Sequence, residues 1–111
     1  MKFEERKQAD SVVIRLLETR LGADKAAGFK DVMAAYTNSG YKSVVLDLSR
    51  VEFIDSSGLG AILSVLKKMQ HGSELVIAGA TDSVASMFKL TRMDRVFLMH
   101  KTAEDAIALV P

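Results

Sequence analysis

The sequence predicts a single α/β domain with a mostly parallel or mixed sheet of four to five strands and about four helices. Short apolar segments rich in β-branched residues alternate with longer segments of helical periodicity. Residues 44–46 are continuously apolar, which is typical of a parallel strand covered on both faces. The sole proline is Pro111, and no linker or repeat interrupts the chain. Residues 1–111 are therefore expected to form one domain.

The first third of the chain predicts two strands and a helix. Residues 11–17 are rich in β-branched and apolar types and indicate a strand. Residues 2–7 predict an antiparallel edge strand paired to it, with residues 8–10 as the turn. An exposed edge of this kind can pair with another chain, so we expect a monomer or a weak dimer. A helix follows, whose apolar stripe ends before Gly40 and consists of Phe29, Val32, Met33 and Tyr36.

The central third predicts a buried strand, a turn and a second helix. The strand at residues 44–46 continues through apolar positions to the turn at Asp55, and the helix after the turn is expected to end near Gly72. This helix has two apolar stripes, the first formed by Leu59, Ile62, Leu63 and Leu66 and the second by Ala61, Val65 and Met69. Either both stripes are buried, or one of them forms an exposed docking patch.

The last third predicts two further strand and helix pairs. Residues 75–78 and 96–99 are predicted to be strands. A short helix between them has its stripe at Val84, Met87, Phe88 and Thr91. Thr102 is expected to cap a final helix, with Asp105 in capping-box spacing. The apolar stripe of that helix consists of Ala103, Ala106, Ile107 and Val110.

Composition excludes several classes of function. The net charge is +1 and the 15 Lys and Arg residues are dispersed, which argues against a surface that binds nucleic acid directly. The chain has no cysteine and two distant histidines, so neither thiol chemistry nor a metal site is expected, and no cofactor is predicted. Residues 1–6 lack the apolar stretch of a secretory signal, and no run is long enough to span a membrane. We therefore expect a cytoplasmic domain.

The most informative segment is Asp55-Ser56-Ser57-Gly58-Leu59-Gly60, at the transition from a strand to a helix. Serine and aspartate are preferred N-cap residues, so a structural cap explains the pattern on local grounds. A serine at a helix N-terminus is also a candidate phosphoacceptor, because free backbone N–H groups and the positive end of the helix dipole favour a phosphate. The neighbouring carboxylate of Asp55 opposes the phosphate by like charge.

This segment, together with the preceding Val44-Val45-Leu46-Asp47-Leu48-Ser49, resembles the STAS-domain anti-sigma factor antagonists of bacteria. The order of predicted elements over the whole chain agrees with that resemblance. It implies a STAS-type fold and a role in protein binding and transcription regulation. The unphosphorylated antagonist would bind an anti-sigma factor and so free a sigma factor.

The resemblance also implies which residues carry that role. Ser56 would be phosphorylated by an anti-sigma factor with GHKL-type serine kinase activity, and a PP2C-type phosphatase would reverse the modification. Ser57 is itself either a second candidate for modification or a first-turn hydrogen-bonding residue. The implied partner-binding set consists of Asp55, Ser57, Gly58, Leu59, Gly60 and Asp24.

One loop departs from the family pattern. Many members carry a Gly-Glu-Leu-Asp segment whose aspartate contributes to partner binding, whereas this chain has Gly22 at that position. Asp24 lies two residues further on. It either supplies the missing charge or caps the following helix.

Three alternatives to the phosphorylation switch remain. A non-switching STAS subunit of a scaffold or a lipid-transport ATPase complex would fit the loop departure. A receiver-type domain would accept phosphate on Asp47, but it needs an early acidic pair for Mg²⁺ that the first strands do not offer. An enzyme is least supported, because the chain has neither a phosphate-binding loop nor a nucleophile elbow.

Overall fold

The computed structural model describes residues 1–108. Residues 109–111, which include Val110 of the predicted stripe, lie outside the described residues. Seven strands and four α-helices follow one another as β1 (Phe3–Gln8), β2 (Ser11–Leu16), β3 (Arg20–Leu21), α1 (Ala26–Ala34), β4 (Ser43–Asp47), β5 (Phe53–Ile54), α2 (Ser56–Lys68), β6 (Glu74–Ala78), α3 (Asp82–Leu90), β7 (Leu98–His100) and α4 (Ala103–Ala108). A short 3-10 helix at Met93–Arg95 lies between α3 and β7.

Five of the strands form one mixed sheet in the order β1-β2-β4-β6-β7. β1 pairs with β2 antiparallel, whereas the other neighbours in this sheet are parallel. β3 and β5 form a separate parallel pair, in which Arg20 lies opposite Phe53 and Leu21 opposite Ile54. The predicted α/β class, the antiparallel edge strand and the four helices are confirmed.

The sheet divides the apolar interior into two unequal parts. The larger cluster lies between one face of the sheet and the helices α1, α2 and α3, and it includes Phe29, Ile62 and Phe88. The smaller cluster lies under α4 and joins Val45 and Ala106. Every residue of β4 is buried, as its apolar run predicts for a central parallel strand.

Burial answers the question about the two stripes of α2. Leu59 and Ile62 of the first stripe are buried, and so are Ala61 and Val65 of the second. Leu66 and Met69 pack partly against the same core. Leu63 is half-buried, so no residue of either stripe is fully exposed, and the alternative that one stripe forms an exposed docking patch was wrong.

The structure shifts several predicted element ends. α1 ends at Ala34, so Gly40 lies in the loop before β4, where its φ of 87° belongs to the region that favours glycine. β7 begins at Leu98 rather than at residue 96, because the backbone turns through the 3-10 helix just before it. Thr102 does cap α4, since its Oγ1 accepts a hydrogen bond of 3.0 Å from the Asp105 N–H.

Candidate functional site

The β3–β5 pair carries the candidate site at its end. β5 leads into α2 through Asp55 alone, so Ser56 is the first residue of the helix. The Asp55 N–H donates to the carbonyl oxygen of Leu21 at 3.4 Å, and the Glu52 N–H donates to the carbonyl oxygen of Thr19 at 2.7 Å. These backbone bonds fix the start of α2 against β3.

Asp55, not Ser56, is the N-cap of α2. Its backbone is extended, and its Oδ1 accepts a hydrogen bond from the Gly58 N–H at 2.9 Å. Its other oxygen, Oδ2, accepts from the Ala23 N–H at 3.3 Å, so the carboxylate joins the β3–α1 loop to the helix. The Gly58 N–H bond is the main reason that the pKa of Asp55 is lowered, and the N–H groups of Ala23 and Ser57 and the charge of Arg20 add to it.

Gly58 has a packing role that the sequence did not predict. It is buried, and a Cβ at this position would overlap the carbonyl oxygen of Leu21 and lie 2.9 Å from Cγ1 of Ile54. Both neighbours belong to the β3–β5 pair, so α2 approaches this pair closely only because residue 58 has no side chain. Leu59 is also buried, with 3% of its surface exposed.

Ser56, Ser57 and Gly60 face outward. All three are exposed, and a Cβ at Gly60 would meet no heavy atom within 4 Å. Because Asp55 provides the cap, the Ser56 hydroxyl is not needed for capping. The six-residue segment is therefore divided, with three residues at the surface and Gly58 and Leu59 in the interior, while the half-buried Asp55 borders both.

Asp24 does not cap α1. The N-cap position belongs to Lys25, which makes no side-chain capping bond, and Asp24 is exposed in the preceding turn. The capping alternative was wrong because the helix starts at Ala26, one residue too late for Asp24. Asp24 does lie near the candidate site, since its Oδ1 would be 3.5 Å from a Cβ at Gly22.

Gly22 lies against the Asp55 carboxylate. It is buried, and a Cβ here would be 2.9 Å from Oδ2 of Asp55. An aspartate at position 22 would bring a second carboxylate toward Asp55. The glycine instead leaves room for Asp55 to accept the Ala23 N–H.

Arg20 and Phe53 lie beside the candidate site, and the sequence did not single them out. Both are exposed, Phe53 to 40%, and the Cζ of Arg20 lies 4.5 Å from the centroid of the Phe53 ring. This is a cation–π contact between two residues that are neighbours in the β3–β5 register. The available signal was the alternation of Phe53 and Ile54, since one of two adjacent apolar residues in a strand faces the other way.

Asp47 is a poor phosphoacceptor in this structure. Only 3% of its surface is exposed. Its Oδ2 accepts from Arg15 Nε at 3.1 Å, and its Oδ1 accepts from the Ser49 N–H at 2.9 Å. The Asp47 carboxylate is therefore buried and already paired, which argues against the receiver-type alternative.

Among residues 1–108, no three histidine, aspartate or glutamate side chains lie close enough together to hold a metal ion. In the same part of the chain, no helix combines the length and the apolar character that crossing a membrane requires.

Comparison with known proteins gives one consistent result. The family model of the STAS domain matches residues 4–106. A Thermotoga maritima protein provisionally named an anti-sigma factor antagonist is 33% identical over 103 residues, which cover 91% of each chain. The anti-sigma-B factor antagonist of Staphylococcus aureus is 31% identical over 72 residues, or 64% of this chain and 65% of that protein.

The fold of this chain is also similar to that of a solved structure. The crystal structure of a Thermotoga maritima protein, also provisionally named an anti-sigma factor antagonist, superposes with a TM-score of 0.83 at 30% identity. The match covers 96% of this chain and 92% of that one. Since the family model spans nearly the whole chain and both the sequence and the fold of these relatives agree with it, this chain belongs to the STAS domain family.

Proposed function

We propose that this STAS domain is an anti-sigma factor antagonist whose binding is switched by phosphorylation of Ser56. Two relatives bear that name, one of them provisionally. In its unphosphorylated form the domain binds an anti-sigma factor that is also a GHKL-type serine kinase. The domain, residues 1–111, acts in the bacterial cytoplasm as a binding partner and a kinase substrate, without an active site of its own.

The exposed position of Ser56 at the start of α2 is the observation that carries this proposal. A kinase needs access to the hydroxyl, and Ser56 is exposed while Asp55 performs the capping. Gly60, one turn further along the helix, has open space around it. A docking protein can therefore approach the hydroxyl over a surface of small residues.

In the modification step, Oγ of Ser56 attacks the γ-phosphorus of ATP. The bond between that phosphorus and the bridging oxygen breaks, ADP leaves, and the serine proton passes to a base in the kinase. The product carries about −1.5 to −2 additional charges at neutral pH. Because Ser56 is exposed, this charge alters the docking surface rather than the core, and it weakens the complex by repulsion and bulk.

The other residues of the predicted set have two kinds of role in the proposal. Ser57, Gly60 and Asp24 are exposed and supply direct contacts. Gly58 and Leu59 are buried and act by fixing the position of α2, and Asp55 does so through its cap. A PP2C-type phosphatase removes the phosphate and restores binding.

The acceptor assignment is tested by incubating the domain with its cognate kinase and ATP, followed by mass spectrometry of intact protein and peptides. We expect one phosphate on the unaltered chain, none on Ser56→Ala and one on Ser57→Ala. Ser57→Ala is the matched control, because it removes a hydroxyl that is also exposed, from the next position. Phosphate retained at full level in Ser56→Ala would place the acceptor elsewhere.

A second candidate function is a non-switching STAS subunit of a larger scaffold or of a lipid-transport ATPase complex. The glycine at position 22 favours it, since the loop lacks the aspartate that many antagonists use for partner binding. Pull-down with the unaltered domain and with Ser56→Glu separates the two. A partner lost only with Ser56→Glu supports the switch, and a complex that survives the substitution supports the constitutive subunit.

A further inference from the structure

Arg20 and Phe53 form a prearranged pair beside the proposed acceptor. The guanidinium of Arg20 stacks on the Phe53 ring at 4.5 Å, and both side chains are exposed. Among residues 1–108, Arg20 makes no salt bridge, whereas Lys25 of the neighbouring loop is bound to Glu18 at 3.2 Å. The stack therefore holds a cation in place without neutralising it.

The strand geometry places this cation close to Asp55, the residue that precedes Ser56. Phe53 and Asp55 are two residues apart in extended backbone, so their side chains lie on the same side, about 6 to 7 Å apart along the chain. Arg20 lies opposite Phe53 on that side and helps to lower the pKa of Asp55, as expected of a nearby positive charge. Ser56 follows Asp55 directly.

The charges around Ser56 favour a counter-ion. The carboxylates of Asp55 and Asp24 would lie 2.9 Å and 3.5 Å from a Cβ at Gly22, so two negative groups border the start of α2. Glu52 is a third acidic residue, exposed just before β5. A phosphate on Ser56 adds like charge to this region, and Arg20 is the cation that the β3–β5 pair places next to Asp55.

We propose that Arg20, held on the ring of Phe53, is the internal counter-ion of the phosphate on Ser56. This inference rests on the proposed modification of Ser56, and it adds which residue of the domain stabilises the phosphorylated state. A guanidinium binds phosphate oxygens through two parallel N–H groups, which a stacked and fixed orientation favours. Phosphorylation then withdraws Arg20 from the surface available to a partner, in addition to adding negative charge.

The test uses the full chain with phosphoserine incorporated at position 56 during translation, so that no kinase is needed. ³¹P NMR follows the phosphate between about pH 4.5 and 8, a range that spans its second pKa. A cation favours the dianion, so Arg20 should hold that pKa lower than in Arg20→Gln, by about 0.3 to 1 unit for an exposed pair. Arg20→Lys, which retains the charge without the planar fork, should fall between the two.

Lys67→Gln is the matched control, because it removes an exposed positive charge at the opposite end of α2. A phosphate pKa that Arg20→Gln leaves unchanged overturns the proposal, as does an equal shift in Lys67→Gln. A second measurement needs no substitution at Arg20: its Nε–H resonance should shift when position 56 carries phosphoserine instead of serine. An unmoved resonance contradicts the proposal.

The proposed switch at Ser56 and the proposed counter-ion role of Arg20 can be disproved independently of each other. If the cognate kinase does not modify Ser56 while the phosphoserine protein shows the Arg20-dependent pKa, the proposed switch is wrong and the counter-ion geometry holds. If the kinase modifies Ser56 and Arg20→Gln leaves the phosphate pKa unchanged, the switch holds and the counter-ion proposal is wrong.

Discussion

Residues 55–60 are consecutive in the sequence, yet they form an inner and an outer side that differ in burial and in contacts. Gly58 and Leu59 are buried against β3, β5 and the core, whereas Ser56, Ser57 and Gly60 are exposed. The alternation follows from the helix, since each residue is turned by about 100° from the one before. A contiguous motif therefore contains two sets of residues with separate roles.

This difference changes how substitutions in the segment must be interpreted. A change on the inner side can abolish partner binding by displacing α2 or unfolding the domain, without any direct contact being lost. A change on the outer side can abolish binding while the free energy of unfolding stays near its original value. Stability therefore has to be measured beside binding for each variant.

Gly58→Ala should have the largest effect on stability. The new Cβ would overlap the Leu21 carbonyl oxygen, and because that atom is backbone, strand β3 or helix α2 has to move. Overpacking usually costs about 1 to 3 kcal/mol in the free energy of unfolding, and an overlap with a backbone atom should lie at or above the upper end of that range. Urea denaturation followed by circular dichroism measures the loss, and a variant as stable as the parent would show that the close approach is not required.

Leu59→Ala should have the next largest effect. Leu59 is 3% exposed within the main core, so truncation leaves a cavity and costs about 2 to 3 kcal/mol. Leu63→Ala is the matched control, since Leu63 is on the same helix but only half-buried. Its loss should be clearly smaller in the same urea titration; equal losses would mean that the difference in burial between these two positions of one stripe does not set the cost.

Gly22→Asp should destabilise the domain by less than either core substitution. It places a carboxylate beside Asp55, because a Cβ at position 22 lies 2.9 Å from Oδ2 of Asp55. Repulsion between the two should raise the pKa of Asp55, so the penalty is present at pH 7 and shrinks as both groups are protonated in acid. Gly22→Asn adds the same bulk without charge, and the Asp–Asn difference in thermal midpoint should therefore fall between about pH 7 and pH 3. A difference that stays constant over that range would contradict the electrostatic explanation.

Long periodic segments were predictable from sequence, whereas the contacts made by very short strands were not. The strand at residues 44–46 and the α2 stripes follow from many residues that each favour the same structure. β3 and β5 have two residues each, too few for a pattern, so the pair that positions Asp55 was missed. The Arg20–Phe53 contact depends on that pairing and was missed with it.

The capping residue of α2 could not be chosen from the sequence. Asp, Ser and Ser in succession are all good N-caps, and sequence alone does not show which residue adopts the extended backbone that a cap requires. The structure gives that position to Asp55, where its second oxygen also reaches the Ala23 N–H. That second bond joins residues 32 positions apart, which local pattern does not reveal.

Gly60→Ala should have a small effect of opposite sign. The position is helical, and a Cβ there meets nothing within 4 Å, so alanine loses less backbone entropy on folding without any clash. The free energy of unfolding should rise by about 0.5 to 1 kcal/mol. A decrease in urea denaturation would place Gly60 on the inner side after all and remove the contrast with Gly58.

Asp55→Asn probes the residue that belongs to both sides, and its effect should be the smallest because asparagine also caps helices well. The pKa of Asp55 is lowered from its ordinary value of 3.8, chiefly by the Gly58 N–H. A carboxyl with a lowered pKa in the folded state contributes stability above its unfolded pKa and loses it as the pH falls through the folded value. The parent should therefore exceed Asp55→Asn in thermal midpoint at neutral pH, and the difference should close as the pH falls below 3.8. A difference that is constant from neutral pH into that acid range would mean that the charge of Asp55 does not stabilise the junction, and that hydrogen-bond geometry alone joins the inner side of the turn to the outer.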